Sequence, residues 1–97
     1  MLNHIVLFQL KPDVTTQQRA DIITALTDLQ RYIPEILEIS SGENFADRNG
    51  GFDLALFVRL KDRDALQTYR DHPEHRRVVS EFIQPAADQI IAADYEY

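Results

Sequence analysis

Three histidines and one tyrosine are the side chains best suited to chemistry in this sequence. His72 and His75 lie in the run His72-Pro73-Glu74-His75, Tyr69 precedes that run by three positions, and His4 lies near the N-terminus. Imidazole has an ordinary pKa close to neutrality, so a histidine can take up and release a proton near pH 7. A phenol beside it can donate a hydrogen bond to a carbonyl oxygen. Tyr69, His75 and His4 therefore form a candidate acid–base set for a small carbonyl compound.

Each of these residues also has a structural interpretation. His4 lies between apolar neighbours and could be a partly buried histidine bonded to a nearby carbonyl or carboxylate. Tyr69 could be a core aromatic whose hydroxyl finds a partner, and His72 is placed to cap a helix that begins at Pro73. Spacing alone favours the structural interpretation.

Motifs for other chemistries are absent. The His-Glu-x-x-His spacing of zinc proteases, the Gly-x-Ser-x-Gly turn of serine hydrolases and the Gly-x-Gly-x-x-Gly loop of dinucleotide-binding proteins do not occur. The chain has no cysteine, which excludes thiolate metal sites and disulfides. We therefore expect neither a metal ion nor a bound cofactor.

Length and charge narrow the class of protein further. A chain of 97 residues is expected to form one domain over residues 1–97. Its net charge of −6 argues against nucleic acid and against an anionic membrane surface as partners. The longest apolar run near the N-terminus is Ile5–Phe8, too short for a signal peptide or a membrane span. The lack of cysteine gives no reason to expect an oxidising compartment, so we expect the cytoplasm.

The apolar periodicity predicts the element order β-α-β-β-α-β. The strands are expected at Asn3–Lys11, Ile36–Ser41, Phe52–Leu60 and Gln89–Tyr95, with a helix from Thr15 to Pro34 and a second crossover divided at His72-Pro73. This order is that of a ferredoxin-like α+β protomer, a four-stranded antiparallel sheet with helices on one face.

The other face of this sheet is expected to be apolar as well. In the strands, Ile5 and Leu7 alternate with His4, Val6 and Phe8, so one of the two sets must lie on the face that the helices leave open. Ala55 and Phe57 extend the set that contains Ile5 and Leu7. Since an exposed apolar patch of this kind is typical of an interface, we expect a homodimer that packs sheet against sheet.

Three segments resemble a known family across essentially the whole chain. They are the opening strand His4–Lys11, the stretch Tyr69–His75 and the closing pair Asp94-Tyr95. Together they resemble the stress-responsive A/B barrel (Dabb) family, the dimeric α/β barrel proteins. The resemblance implies a ferredoxin-like protomer that dimerises through its sheet into an α/β barrel.

The resemblance also implies roles for individual residues. In a plant polyketide cyclase of the family, a histidine acts as general base beside a tyrosine in an apolar cavity, and these roles fall on His75 and Tyr69. A strand histidine of the cyclase falls on His4, but its further pocket histidine falls on Leu54. The cavity, roofed by the first helix, would be lined by His4, Val6, Phe8, Leu54 and Leu56.

Two functions remain open at this point. One is a homodimeric protein that binds a small apolar or aromatic ligand in each protomer and performs no chemistry. The other is a cofactor-free cyclase or lyase that acts on a polyketide-like or other small carbonyl compound, with His75 as base and Tyr69 as hydrogen-bond donor.

Overall fold

The computed structural model describes residues 1–97 and has the predicted element order. The strands are β1 (Leu2–Leu10), β2 (Glu38–Glu43), β3 (Leu54–Leu60) and β4 (Ala87–Glu96), and the helices are α1 (Thr16–Thr27), α2 (Arg63–Asp71) and α3 (Pro73–Val78). The four strands form one antiparallel sheet in the order β2-β3-β1-β4. The ferredoxin-like fold is confirmed.

Strand alternation separates the two faces of the sheet as the sequence predicts. On β1, His4, Val6 and Phe8 are buried beneath the helices, whereas Ile5 and Leu7 are only partly covered. The same alternation continues on β3, where every second residue from Leu54 to Leu60 is buried. We call the buried side the helix-covered face and the side that carries Ile5 and Leu7 the open face.

The first helix begins at the predicted residue and ends earlier than predicted. Thr15 accepts a hydrogen bond from the Gln18 backbone N–H, and the Gln18 side chain accepts one from the Thr15 N–H, so both halves of a capping box are present. The α-helical bonding stops at Thr27, and Asp28–Arg31 continue as a 3₁₀ turn. The Thr27 hydroxyl donates to the Ile23 carbonyl, which is a competing bond of the kind that weakens a helix interior.

All four strands start one or two residues away from the predicted positions, with β1 at Leu2 instead of Asn3 and β3 at Leu54 instead of Phe52. The starts of β2 and β4 have identifiable causes. The Ile36 N–H donates to the Ile33 carbonyl, so the chain is still turning there, and β2 begins at Glu38. The last strand, β4, begins at Ala87, because an irregularity between Gln9 and Leu10 on β1 lets Leu10 pair with Ala87. The difference at β4 depends on a contact between distant segments, which periodicity does not report, whereas the difference at β2 comes from a local turn.

The second crossover is divided at His72-Pro73 as predicted. Pro73 occupies the first turn of α3, where its missing N–H costs no hydrogen bond. A single π turn, Val79–Ile83, follows α3 and is closed by a bond from the Gln84 N–H to the Val79 carbonyl. No helix in the structure combines the length and the apolar character needed to cross a bilayer.

We predict that the stability of the domain depends on the helix-covered face of β3. Leu60 is fully buried and Leu37 is half exposed, so the two leucines form a matched pair. Leu60→Ala should lower the free energy of unfolding by about 2–5 kcal/mol, whereas Leu37→Ala should change it by less than about 0.5 kcal/mol. Urea denaturation measures both, and equal losses would contradict this assignment of the core.

Candidate active site

His4 is held in the middle of the sheet by a carboxylate on the neighbouring strand. β1 pairs with β4 so that His4 lies directly opposite Asp94, and side chains opposite each other in an antiparallel pair lie on the same face. The His4 Nδ1 is 2.5 Å from Asp94 Oδ1. His4 is 6% exposed, so this contact satisfies one nitrogen of an almost fully buried imidazole.

Tyr69 lies over the sheet on the buried side of α2. Asp62 caps this helix by accepting a hydrogen bond from the Ala65 N–H, and Leu66 and Tyr69, three residues apart, form its buried face. Tyr69 is fully buried, and its hydroxyl has no hydrogen-bond partner in the protein. Because buried polar atoms are nearly always paired, this hydroxyl is an exception, which it shares with Asn3 Oδ1 and Arg59 Nε.

The break between α2 and α3 positions His75. The Glu74 N–H, which would continue α2 by bonding the Arg70 carbonyl, instead donates to Nδ1 of His72. His72 is therefore the N-cap of α3. The Arg70 carbonyl lies 3.1 Å from His75 Nδ1, so the imidazole of His75 takes the place of the missing helical N–H.

The three side chains meet in one layer between the sheet and the helices. The ring centroids of His4 and Tyr69 are 5.7 Å apart in an edge-to-face arrangement, and those of Tyr69 and His75 are 4.6 Å apart. We call these three residues the Tyr69 cluster. The structure thus brings together the tyrosine and the two histidines that the sequence singled out.

Hydrogen-bond partners define which nitrogen of each histidine can act as a base. A carbonyl oxygen only accepts, so His75 must donate from Nδ1 to the Arg70 carbonyl, which leaves the lone pair of the neutral ring on Nε2. His4 donates from Nδ1 to the Asp94 carboxylate in the same way. His72 is the opposite case, because its Nδ1 accepts from a backbone N–H. Of the three, His75 and His4 therefore present Nε2 as the proton acceptor.

Burial moves the pKa values of Tyr69 and His75 in opposite directions. Burial lowers the pKa of the His75 imidazole, with a smaller lowering from the charges of His4, Arg70 and His72 and an opposing effect of the Arg70 carbonyl. Burial also raises the pKa of the Tyr69 phenol. At pH 7, then, His75 is a neutral imidazole with a free lone pair and Tyr69 is a protonated hydrogen-bond donor.

Sequence reasoning missed two residues that support this cluster. Asp94 accepts from His4 on one oxygen, and its other oxygen is 2.9 Å from a guanidinium nitrogen of Arg70. Arg70 therefore holds His75 through its carbonyl and Asp94 through its side chain. Both residues lie in segments that carry the family resemblance, but their roles depend on the pairing of β1 with β4 and on the helix break.

The five residues predicted to line a ligand cavity are all on the helix-covered face. They are His4, Val6, Phe8, Leu54 and Leu56, none of them more than 7% exposed. Of these, Leu56 alone borders one of the main depressions, at the β2–β3 edge. Their role in ligand binding stays a prediction.

The main depressions lie at the surface, and His75 lines one of them. The depression that His75 lines has a volume of about 280 Å³ and lies beside the α2–α3 break. The largest depression, about 410 Å³, lies between α1 and α3 and contains none of the histidines. The structure has no group of three or more His, Asp or Glu side chains arranged to hold a metal ion.

Comparisons with known proteins place this fold and site in a family. The model of the stress-responsive A/B barrel domain matches residues 2–97. The chain belongs to the stress-responsive A/B barrel domain (Dabb) family. The Dabb chain is 32% identical over 96 residues to a stress-response A/B barrel domain-containing protein of Arabidopsis thaliana. That alignment covers 98% of this chain and 36% of the Arabidopsis protein, so the chain spans about a third of that relative.

Two solved structures share the architecture. A dimeric ferredoxin-like protein of unknown function from Thermobifida fusca is 31% identical, with a TM-score of 0.86 over 99% of this chain and 90% of that one. A hydroxynitrile lyase from Passiflora edulis is 26% identical, with a TM-score of 0.86 over 97% of this chain and 90% of that one. The Dabb fold thus occurs in a protein described as dimeric and in one described as a lyase.

We predict that the buried imidazole of His75 makes the protein less stable in acid. Because folding lowers the pKa of His75 from its ordinary 6.5, the unfolded state binds more protons as the pH falls below that value. The free energy of unfolding should therefore decrease from neutral pH downwards, and less steeply in His75→Gln. Urea denaturation at a series of pH values measures this.

An NMR titration of the histidine ring protons gives the control. The signal lost in His75→Gln should titrate below 6.5 in the folded protein. A His75 signal that titrates above that value would contradict the burial argument.

Proposed function

We propose that the protein binds a small carbonyl compound at the Tyr69 cluster and performs cofactor-free acid–base chemistry on it, as a cyclase or lyase. The observation that carries this proposal is the fully buried Tyr69 hydroxyl, which has no protein partner and belongs to a ring that lies near two imidazoles. The protein leaves the donor capacity of this hydroxyl unused, and a hydrogen bond to a ligand oxygen would satisfy it.

His75 is the general base in this proposal. Its Nδ1 is committed to the Arg70 carbonyl, so Nε2 removes a proton from the carbon next to the substrate carbonyl. The electron pair of the broken C–H bond moves into the carbon skeleton and onto the carbonyl oxygen, which gives an enolate and an imidazolium. The lowered pKa of His75 keeps the imidazole neutral, and therefore basic, before the reaction.

Tyr69 is the hydrogen-bond donor to the oxygen that becomes negative. Its raised pKa keeps the phenol protonated, and its buried position means that no water competes for the developing charge. In a cyclase, the enolate then attacks a second carbonyl, whose oxygen becomes an alkoxide. In a lyase, Nε2 of His75 instead removes the proton of a hydroxyl group, the oxygen forms a C=O bond as the carbon–carbon bond breaks, and the bonding electron pair leaves on the departing carbon as an enolate or other stabilised carbanion. In either case the proton on His75 returns to the product.

The likeness to the Passiflora edulis lyase supports a carbon–carbon lyase as one form of this chemistry. The two chains share fold and 26% of their residues. A base next to a hydrogen-bond donor serves both the formation and the cleavage of a bond beside a carbonyl group, because the same enolate or alkoxide charge must be stabilised.

Ligand binding without turnover is the second candidate. The largest depression, between α1 and α3, combines apolar side chains such as Leu29 and Phe82 with charged ones at a distance from the histidines. A Dabb protein that binds a small apolar or aromatic molecule there would need no acid–base pair. In that case His75→Ala and Tyr69→Phe would leave ligand binding intact.

We predict that the Tyr69 cluster catalyses exchange of the protons next to a carbonyl group. In D₂O, the protein should speed the incorporation of deuterium into 2-butanone or acetophenone, as followed by NMR. His75→Ala and Tyr69→Phe should each reduce the protein-dependent rate by about 100-fold, the order expected for losing a general base or its partner.

His72→Asn is the matched control for this experiment. Asn can cap α3 as His72 does, and His72 contributes only a minor effect on the pKa of His75 and no group to the reaction, so the exchange rate of His72→Asn should stay close to that of the wild type. If wild type and both active-site variants exchange no faster than buffer, the protein is not a catalyst of this kind.

We also propose that the protein is a homodimer that packs open face against open face. Ile5, Leu7 and Phe57 lie on that face and are partly exposed, and Ile91 and Ala93 on β4 continue it. The Thermobifida fusca relative is described as dimeric. Burying these apolar side chains would remove from water the surface that the helices leave uncovered.

We predict that Ile91→Glu dissociates this dimer and that Ile90→Glu does not. Both isoleucines are 49% exposed and adjacent on β4, but Ile91 lies opposite Leu7 on the open face and Ile90 lies opposite Phe8 on the helix-covered face. Light scattering should give twice the chain mass of 11.2 kDa for the wild type and Ile90→Glu, and the chain mass itself for Ile91→Glu. A monomeric wild type, or equal effects of the two substitutions, would refute the interface.

A further inference from the structure

The depression beside His75 is lined by basic and neutral side chains only. Its volume is about 280 Å³, near the lower end for ligand pockets. Its lining consists of Arg70, His75, Arg76, Val79, Ser80 and Gln84. Two arginines thus line the depression beside the proposed catalytic base, together with a hydroxyl-bearing and an amide-bearing residue and no carboxylate, although Arg70 also lines the neighbouring depression that contains Asp94 and Glu96.

The basic lining of this depression contrasts with the acidic composition of the chain. The net charge is −6, and each of the other four main depressions has at least one carboxylate in its wall. Those carboxylates belong to Asp13, Asp21, Asp28, Glu43, Glu74, Glu81, Asp94 and Glu96. Since acidic residues outnumber basic ones, a wall with two arginines and no acid is a local property of this depression.

The two arginines retain capacity for a further anion. Arg70 is half exposed and has one guanidinium nitrogen bonded to Asp94, at 2.9 Å. Arg76 is 70% exposed and is 3.6 Å from Asp71, a separation typical of a weak surface pair. Because a guanidinium has five N–H donors, both side chains have donors left for a carboxylate. Arg77 differs, since Glu74 and Glu81 both hold it.

We propose that this depression binds the anionic group of the substrate, so that the substrate is a small carbonyl compound that carries a carboxylate. The inference rests on the proposed function of His75, because it uses the same side chain as the reacting group. A carboxylate bonded to Arg70 and Arg76 at the mouth would hold the carbonyl end of the molecule against His75. A planar carboxylate matches the fork of a guanidinium.

Levulinate and its methyl ester test the proposal as a matched pair. Levulinate carries a ketone and a carboxylate, and methyl levulinate carries the ketone without the charge. In an NMR titration of the labelled protein at pH 7, levulinate should shift the Arg70, His75 and Arg76 signals. The ester should bind about tenfold more weakly, the effect expected from losing a hydrogen bond between charged groups.

Two arginine variants complete the test. Arg76→Gln should weaken levulinate binding by about tenfold. Arg48→Gln is the control, because Arg48 lies in the β2–β3 connection and lines none of the main depressions. Its affinity should equal that of the wild type.

Three results would overturn the carboxylate site. They are equal binding of levulinate and its ester, equal effects of Arg76→Gln and Arg48→Gln, and binding of inorganic phosphate as tight as that of levulinate. The last would assign the depression to a phosphate group instead.

The failure of this site and the failure of the catalytic proposal are distinguishable. If levulinate binds at the arginines but its protons exchange no faster than in buffer, the anion site is supported and the catalytic role of His75 is refuted. If the protons of neutral ketones exchange through His75 and levulinate binds no more tightly than its ester, the catalytic role is supported and the anion site is refuted.

Discussion

The central constraint on this structure is a phenol hydroxyl that is shut away from water without a partner. Leaving a buried polar group unpaired costs about 1–3 kcal/mol, which is a large fraction of the stability of a domain this small. The Tyr69 hydroxyl bears that cost where the helices meet the sheet. Nothing in the packing of α2 requires it, since a phenylalanine would fill the same apolar volume. Our proposal accounts for it by a hydrogen bond from this hydroxyl to a ligand.

The surrounding structure fixes the two imidazoles near the Tyr69 ring. Asp94 orients His4 across two paired strands, and the Arg70 carbonyl orients His75 across the break between two helices. The same burial that keeps Tyr69 protonated keeps His75 unprotonated, because removing water disfavours the charged form of each. One apolar environment therefore yields a donor and a base side by side. Pairs of groups whose pKa values are pushed apart are typical of acid–base sites.

Much of the fold could be predicted from local sequence. The alternation of apolar residues around His4 identified the two faces of β1, and the turn chemistry of His72-Pro73 identified the break that places His75. Residue types alone grouped Tyr69 with His75 and His4, and the resemblance to the Dabb family added the expected roles of His75 as general base and Tyr69 as its partner. These features are encoded within a few neighbouring residues, so they can be predicted without knowledge of distant contacts.

The remaining features depend on segments far apart in the chain. Asp94 supports His4 only because β1 and β4 pair in one register, and a shift of one residue would turn it to the other face. Arg70 belongs to the site because its side chain reaches β4 while its carbonyl is released by the helix break. The early end of α1 at Thr27, by contrast, is accompanied by a local bond from the Thr27 hydroxyl to the Ile23 carbonyl. The pattern of residues within a short segment does not predict the register of β1 against β4 or the contact of Arg70 with β4.

The carbonyl stretching frequency of a bound ketone tests most directly whether Tyr69 donates to a ligand. Acetophenone labelled with ¹³C at the carbonyl can be followed by difference infrared spectroscopy in the wild type and in Tyr69→Phe. A hydrogen bond from the buried hydroxyl should move the band of bound ketone to lower frequency in the wild type, and the shift should disappear in Tyr69→Phe. The same band position in both proteins would contradict the account, because the unpaired hydroxyl would then have no part in binding.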